Sequence, residues 1–282
     1  MLYIFIGSFG LIVGSFLNVV IFRLYTKSSI IRDRSRCRQC RKVLKWYELI
    51  PVFSFIIQKG KCRSCNTKLS WQYPIVEIAT ALLFLQTASY KLQAVPKISP
   101  EFILGMVFLW IIVSGLLVIF VYDLKHSIIP DIVLVILFIV TALAFVFGIL
   151  PLGEVSSFPT SLSFVEAGKF QVLNILNALF VGLLAMAPFA FLHFGSRGRW
   201  MGFGDVKLAF FMGFLLGLLQ VIIALFVAFL SGAIIGLALI LSKKKNLKSK
   251  ISFGPFLIFG TYIAFFWGQE IAQWYLSLLL SQ

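Results

Sequence analysis

Two kinds of side chain in this sequence are spaced for chemistry: aspartates at the edges of long apolar runs, and cysteines in pairs. Asp123 closes one run in "LLVIFVYDLKHSIIPD", and Asp205 opens another in "GFGDVKLAFF". A carboxylate at the rim of a greasy segment is costly, so each needs a reason. Two aspartates on different helices at one depth can converge. A few ångströms apart they cannot both ionise, so such a pair shares a proton near neutral pH. One can then act as base on a water while the other protonates the carbonyl oxygen of a peptide. That is the aspartic-protease arrangement. Taken singly, each Asp also fits a helix cap or an interfacial anchor, and a proton-coupled transporter can use the same paired acids.

Gly202 and Gly204 precede Asp205 and let backbone approach an extended substrate or take up a strained turn. Lys125 and Lys207 each follow an aspartate by two positions, a helical spacing that points them to another face and toward the headgroups. Asp131 follows Pro130 and reads as an acid in a helix's first turn, and Glu77 follows Pro74 in the same way. The remaining acids, Asp33, Glu48, Glu101, Glu154, Glu166 and Glu270, read as solvated residues.

The four cysteines form "CRQC" at 37–40 and "CRSC" at 62–65, with 21 residues between the pairs. Cys37, Cys40, Cys62 and Cys65 thus have the spacing of a four-thiolate zinc site, and the flanking Lys and Arg offset its negative charge. Two disulfides or four unrelated thiols are the alternatives, and a reducing cytoplasm disfavours the disulfides. With sulfur in all four positions no place is left for water or substrate, so the metal holds structure. The apolar stretch "WYELIPVFSFII" between the pairs suits packing on this knuckle or lying at a membrane surface.

The elements that position these groups are membrane spans. Of 282 residues 60% are hydrophobic and 12% charged, where a soluble domain has about 25% charged. The mean hydropathy is +1.01. Apolar runs fall at about 2–22, 75–94, 102–122, 132–150, 172–194, 206–219, 221–241 and 254–276. The first lacks the basic leader and cleavage site of a secretory signal and reads as a retained span. Eight crossings with the 23–73 loop inside place 22 of the 25 Lys and Arg on the inner side. That distribution accounts for the net charge of +15 without nucleic acid. Gly10 with Gly14, and Gly232 with Gly236, suit close helix packing. The 151–171 segment reads as an external connector, and no clear internal repeat is visible. The expected fold is an all-α membrane protein of about eight helices. It divides into a first span at 1–22, a cytoplasmic zinc knuckle at 23–73 and a seven-helix core at 74–282.

Together these residues resemble the type IV prepilin leader peptidases, membrane aspartic proteases with a Gly-x-Gly-Asp motif. The likeness runs through "GSFLNVVIFRL" at 14–24, "CRQC" to "LKWYELIPV" at 37–52 and "GKCRSC" to "LSWQYPIVE" at 60–77. It continues through "YDLKHSIIPD" at 122–131, "GFGD" at 202–205 and "SFGPFLIFG" at 252–260. The resemblance selects Asp123 and Asp205 as the catalytic pair, in preference to Asp131. It implies a multi-pass enzyme of the bacterial cytoplasmic membrane that acts on the cytoplasmic face. Its partners would be pilin-like precursors of pili, secretion or competence systems, cut after a glycine. It also implies N-methylation of the new terminus with S-adenosylmethionine, with Asn18, Glu48 and Glu77 on the methyl-donor side. Arg38 stands where the family often has Pro, which a metal turn does not require. A transporter would need a polar route across the bilayer, yet the outer halves of the spans hold almost no ionisable groups. A non-enzymatic assembly scaffold would leave the two aspartates without a use.

Overall fold

The computed structural model describes residues 1–24, 26, 28–30, 32–94, 99–149, 167–242 and 252–280. The 151–166 part of the expected connector and the lysine-rich run at 243–250 lie outside them. Among the described residues there is no strand, and each of the eight apolar runs is a helix. These are α1 (Leu2–Arg23), α3 (Gln72–Ala94), α4 (Pro100–His126), α5 (Asp131–Val146), α6 (Ala167–Gly195), α7 (Phe203–Leu216), α8 (Leu218–Leu241) and α9 (Gly254–Leu280). A short α2 (Phe53–Ile57) and a 3-10 turn at Trp46–Leu49 lie in the loop after α1. By length and composition α1, α3, α4, α6 and α8 suffice to cross a membrane. α5 has 16 residues and α7 has 14, shorter than the roughly 20 that a perpendicular span needs.

The chain forms two compact units, Met1–Val118 and Ile119–Gln282, with α4 running from one into the other. In the first, α1 lies along α3. Their approach is set by glycine: a Cβ at Gly10 would come within 2.7 Å of the Ala81 Cα, and one at Gly14 within 2.6 Å of the Glu77 Cα. Small residues of this kind let helices touch through backbone where lipid supplies no hydrophobic drive. Phe84 stacks on Trp110 with centroids 4.7 Å apart, and the Trp110 indole N–H donates to the Thr87 hydroxyl at 3.0 Å.

In the second unit α7 is the central helix. Nine of its residues, from Val206 to Leu216, are buried on every face. An all-round apolar helix belongs inside a bundle, and α7 packs against α5, α6, α8 and α9. That enclosure explains why it can be short. Gly217, at φ 79° and ψ 175°, turns the chain into α8 in a conformation reserved for glycine. α8 buries Val221, Ala224 and Ala228 but exposes Ile222, Phe226, Phe229, Ile234 and Leu237. Such a surface suits lipid and not water.

The expected glycine pairs fare differently. Gly10 and Gly14 serve packing, whereas Gly236 has nothing within 4 Å of its Cβ position and Gly232 meets only Phe253 and Phe256 side chains. The close approaches in this unit fall at Gly213, against Val181, Gly182 and Ala185, and at Gly260, against the Ala224 carbonyl.

Candidate functional site

Asp123 stands in the last turn of α4 and is only 2% exposed. A buried carboxylate needs donors. Ser252, just before α9, supplies one: its hydroxyl donates to Asp123 Oδ2 in a short hydrogen bond. Gly254, the first residue of α9, lies so close that a Cβ there would overlap the same Oδ2.

Asp205 is the third residue of α7, where a carboxylate faces the positive end of the helix. Its Oδ2 lies beside the N-cap residue, 3.5 Å from the Cβ position of Gly202. Gly202 has φ −71° and ψ 146°, ordinary extended backbone, so its turn carries no strain. Gly204 is the tight position: its Cβ would meet the Ile129 Cβ at 3.1 Å. Ile129 also lies 3.3 Å from the Cβ position of Gly254. This buried isoleucine, from the α4–α5 connection, therefore touches the starts of both α7 and α9. Asp123 and Asp205 are gathered around it, near enough that the Asp123 carboxylate acts electrostatically on Asp205.

The segment that delivers Asp205 is itself fixed. His193 Nδ1 pairs with the Met201 carbonyl at 2.8 Å, and Ser196 Oγ accepts the Trp200 N–H at 3.2 Å. Lys207 stays off the acid pair, as its helical spacing requires. It binds Asp131 Oδ1 at 2.8 Å on the exposed side. Asp131 is the first residue of α5 with Pro130 as N-cap, so it stands at the positive end of the helix as it pairs with Lys207.

The four cysteines meet. All four sulfurs lie within 4.8 Å of one another, and Cys37 Sγ is 3.8 Å from Cys65 Sγ. A tetrahedron with metal–sulfur bonds of about 2.3 Å has edges of about 3.8 Å. All four thiols are free. The donor set and spacing fit a tetrahedral thiophilic metal. Thr67 holds the Cys65 thiol down to about 6 through its hydroxyl and its backbone N–H, favouring the thiolate that a metal binds. Cys37 is lowered chiefly by a backbone hydrogen bond from Cys40, against the opposing pull of burial.

The two knuckles are copies of one turn displaced by 25 positions (37 to 62, 40 to 65). Cys37 N–H donates to the Lys42 carbonyl and Cys62 N–H to that of Thr67, each at 2.9 Å. Arg41 and Asn66 take the left-handed conformation, at φ 56° and 54°. Leu44 N–H reaches the Ser35 carbonyl as Leu69 N–H reaches that of Gly60. The loop therefore does contain an internal repeat, contrary to the sequence reading. "CRQCRKVL" and "CRSCNTKL" carry it too briefly to stand out.

Of the three residues expected on a methyl-donor side, two are neighbours. Asn18 Nδ2 donates to the carbonyls of Gly14 and Tyr73, and its Oδ1 accepts from Gln72 Nε2 at 3.1 Å. Glu77 Oε2 accepts the Val52 N–H at 2.7 Å. Glu48 caps its own 3-10 turn by accepting the Lys45 N–H at 2.8 Å. These polar atoms have hydrogen-bond partners within the protein.

Comparison with known proteins identifies the family of the chain. Residues 8–90 match the family model described as bacterial peptidase A24 N-terminal domain, and residues 110–237 match that of the type IV leader peptidase family. A Bacillus subtilis protein named prepilin leader peptidase/N-methyltransferase is 34% identical over 96% of this chain and 97% of its own length. An Aeromonas salmonicida protein of the same name is 31% identical over 96% and 93%. One from Legionella pneumophila is 28% identical over 98% and 95%. No solved structure matches.

Proposed function

The chain belongs to the type IV leader peptidase family, and from that premise we propose that it is an aspartic endopeptidase of type IV pilin-like precursors. It removes the short basic leader after a glycine, at the cytoplasmic face of a bacterial inner membrane. The observation that carries this reading is the gathering of Asp123 and Asp205 around Ile129, with the Ser252 hydroxyl donating to Asp123. With one proton between them, one carboxylate draws a proton from water and the other donates to the scissile carbonyl oxygen. Hydrolysis then passes through a tetrahedral diol with no covalent bond to the enzyme. The precursor's apolar helix supplies docking energy by entering laterally from lipid. A transporter gains no support, because the acids cluster at the rims of helices.

Zinc is the metal that we assign to Cys37, Cys40, Cys62 and Cys65. With four sulfurs it supplies a cross-link and no reaction centre. The relatives' names support a second activity, N-methylation of the trimmed precursor, for which S-adenosylmethionine supplies the methyl group. Asn18, Glu48 and Glu77 are the residues assigned to the methyl-donor side.

Incubating the purified full-length chain with a pilin-like precursor tests the main reading. Asp123→Asn and Asp205→Asn should each leave folded protein that no longer trims the precursor. Full cleavage by either variant would remove that residue from the mechanism. Repeating the incubation with labelled methyl donor tests the second activity.

A further inference from the structure

We infer that Ser252 is a positioning residue for the acid pair, its hydroxyl fixing the orientation of the Asp123 carboxylate. The inference rests on the peptidase reading above. Asp123 is almost wholly buried, and among the described residues Ser252 is its one side-chain donor. The bond goes to Oδ2, the oxygen that Gly254 also crowds. One oxygen is thus held from two residues of the same segment, which leaves Oδ1 as the atom available to water or to a shared proton. Asp205 lies instead beside Gly202, whose Cβ position is 3.5 Å from its Oδ2. Of the two acids, Asp123 is the one with a side-chain donor among the described residues.

A hydroxyl in this place does more than fill space. Hydrogen bonds to a carboxylate are shorter and stronger than neutral ones and fix direction as well as distance. Without the donor, a buried carboxylate rotates to find another partner, and the geometry needed for proton transfer is lost. Substrate binding uses other surfaces and should be spared.

The test compares precursor cleavage by full-length Ser252→Ala, Ser252→Thr and Ser252→Cys with that by Asp123→Asn. Ser252→Ala should lower kcat about 10- to 100-fold with KM within about twofold of the parent. Ser252→Thr, which keeps the hydroxyl, should recover kcat to within about threefold. Ser252→Cys, a weak donor of similar size, should fall between them. If the alanine variant does not fold, the threonine and cysteine variants carry the comparison. An inactive Asp123→Asn beside a Ser252→Ala of parental kcat, or a loss shared equally by alanine and threonine, overturns the role of Ser252. An Asp123→Asn that still cleaves overturns the acid pair itself, and with it this inference.

Discussion

Gly254 lies against the carboxylate of Asp123 so closely that a Cβ on it would overlap Oδ2. On the same helix, a Cβ on Gly260 would overlap the Ala224 carbonyl. The two obstacles differ in kind. A carboxylate at the end of a side chain can swing aside at little cost, whereas a helix backbone cannot.

Gly254→Ala should therefore fold with nearly parental stability yet lose most of its precursor cleavage, because the carboxylate gives way. Gly260→Ala should do the reverse, losing about 1–3 kcal/mol through overpacking between α8 and α9 and keeping activity at low temperature. Thermal unfolding in detergent beside a cleavage assay separates the outcomes. The opposite ordering would show that Gly254 serves packing alone.

Val52 gives a second test, in the other unit. It sits at φ 61° and ψ −52°, with the Phe53 N–H closing onto the Pro51 carbonyl at 2.6 Å. That is the rare, strained γ-turn, and a β-branched residue is a poor occupant. What holds it is Glu77, which accepts the Val52 N–H. Glu77→Ala leaves that N–H without its partner, at a cost of about 1–3 kcal/mol. Glu77→Gln keeps a carbonyl acceptor and should cost under about 1 kcal/mol. Limited trypsin digestion of the basic loop should accelerate in Glu77→Ala and stay near parental in Glu77→Gln. Equal rates in all three proteins would show that this bond does not anchor the loop.

How far these features could be read from the sequence depends on their range. The eight helices were legible because apolar length is written locally. The four cysteines were legible because a metal constrains spacing. Asp131 separated from Asp123 because Pro130 marks a helix start. Other features rest on contacts between distant segments. Ser252 meets Asp123 across 129 positions, and nothing in "SFGPFLIFG" says which residue its hydroxyl serves. Ile129 is one isoleucine among many until α7 and α9 are seen to begin against it. Gly260 has no glycine three or four positions away and Gly213 has only Gly217, which ends the helix, whereas Gly232 and Gly236 have the spacing and no close backbone neighbour. Spacing along one helix does not reveal which face another helix approaches.

The metal centre yields the last prediction, in which loop and peptidase come apart. The four sulfurs all belong to the Met1–Val118 unit, while Asp123, Asp205, Ser252 and Gly254 all belong to Ile119–Gln282. Purified chain should carry close to one zinc, and Cys37→Ser with Cys62→Ser, or dialysis against a strong chelator, should remove it. Both sulfurs in that double variant are buried, so the knuckles lose their inner ligands together. The loop should then be cut faster by trypsin, because its two short turns have little apolar core to hold them without a metal. Precursor cleavage should stay within about threefold of the parent, since no cysteine contributes to the acid pair. Metal-free protein that stays folded but no longer cleaves would assign the loop a part in peptide hydrolysis and overturn the division of labour argued here.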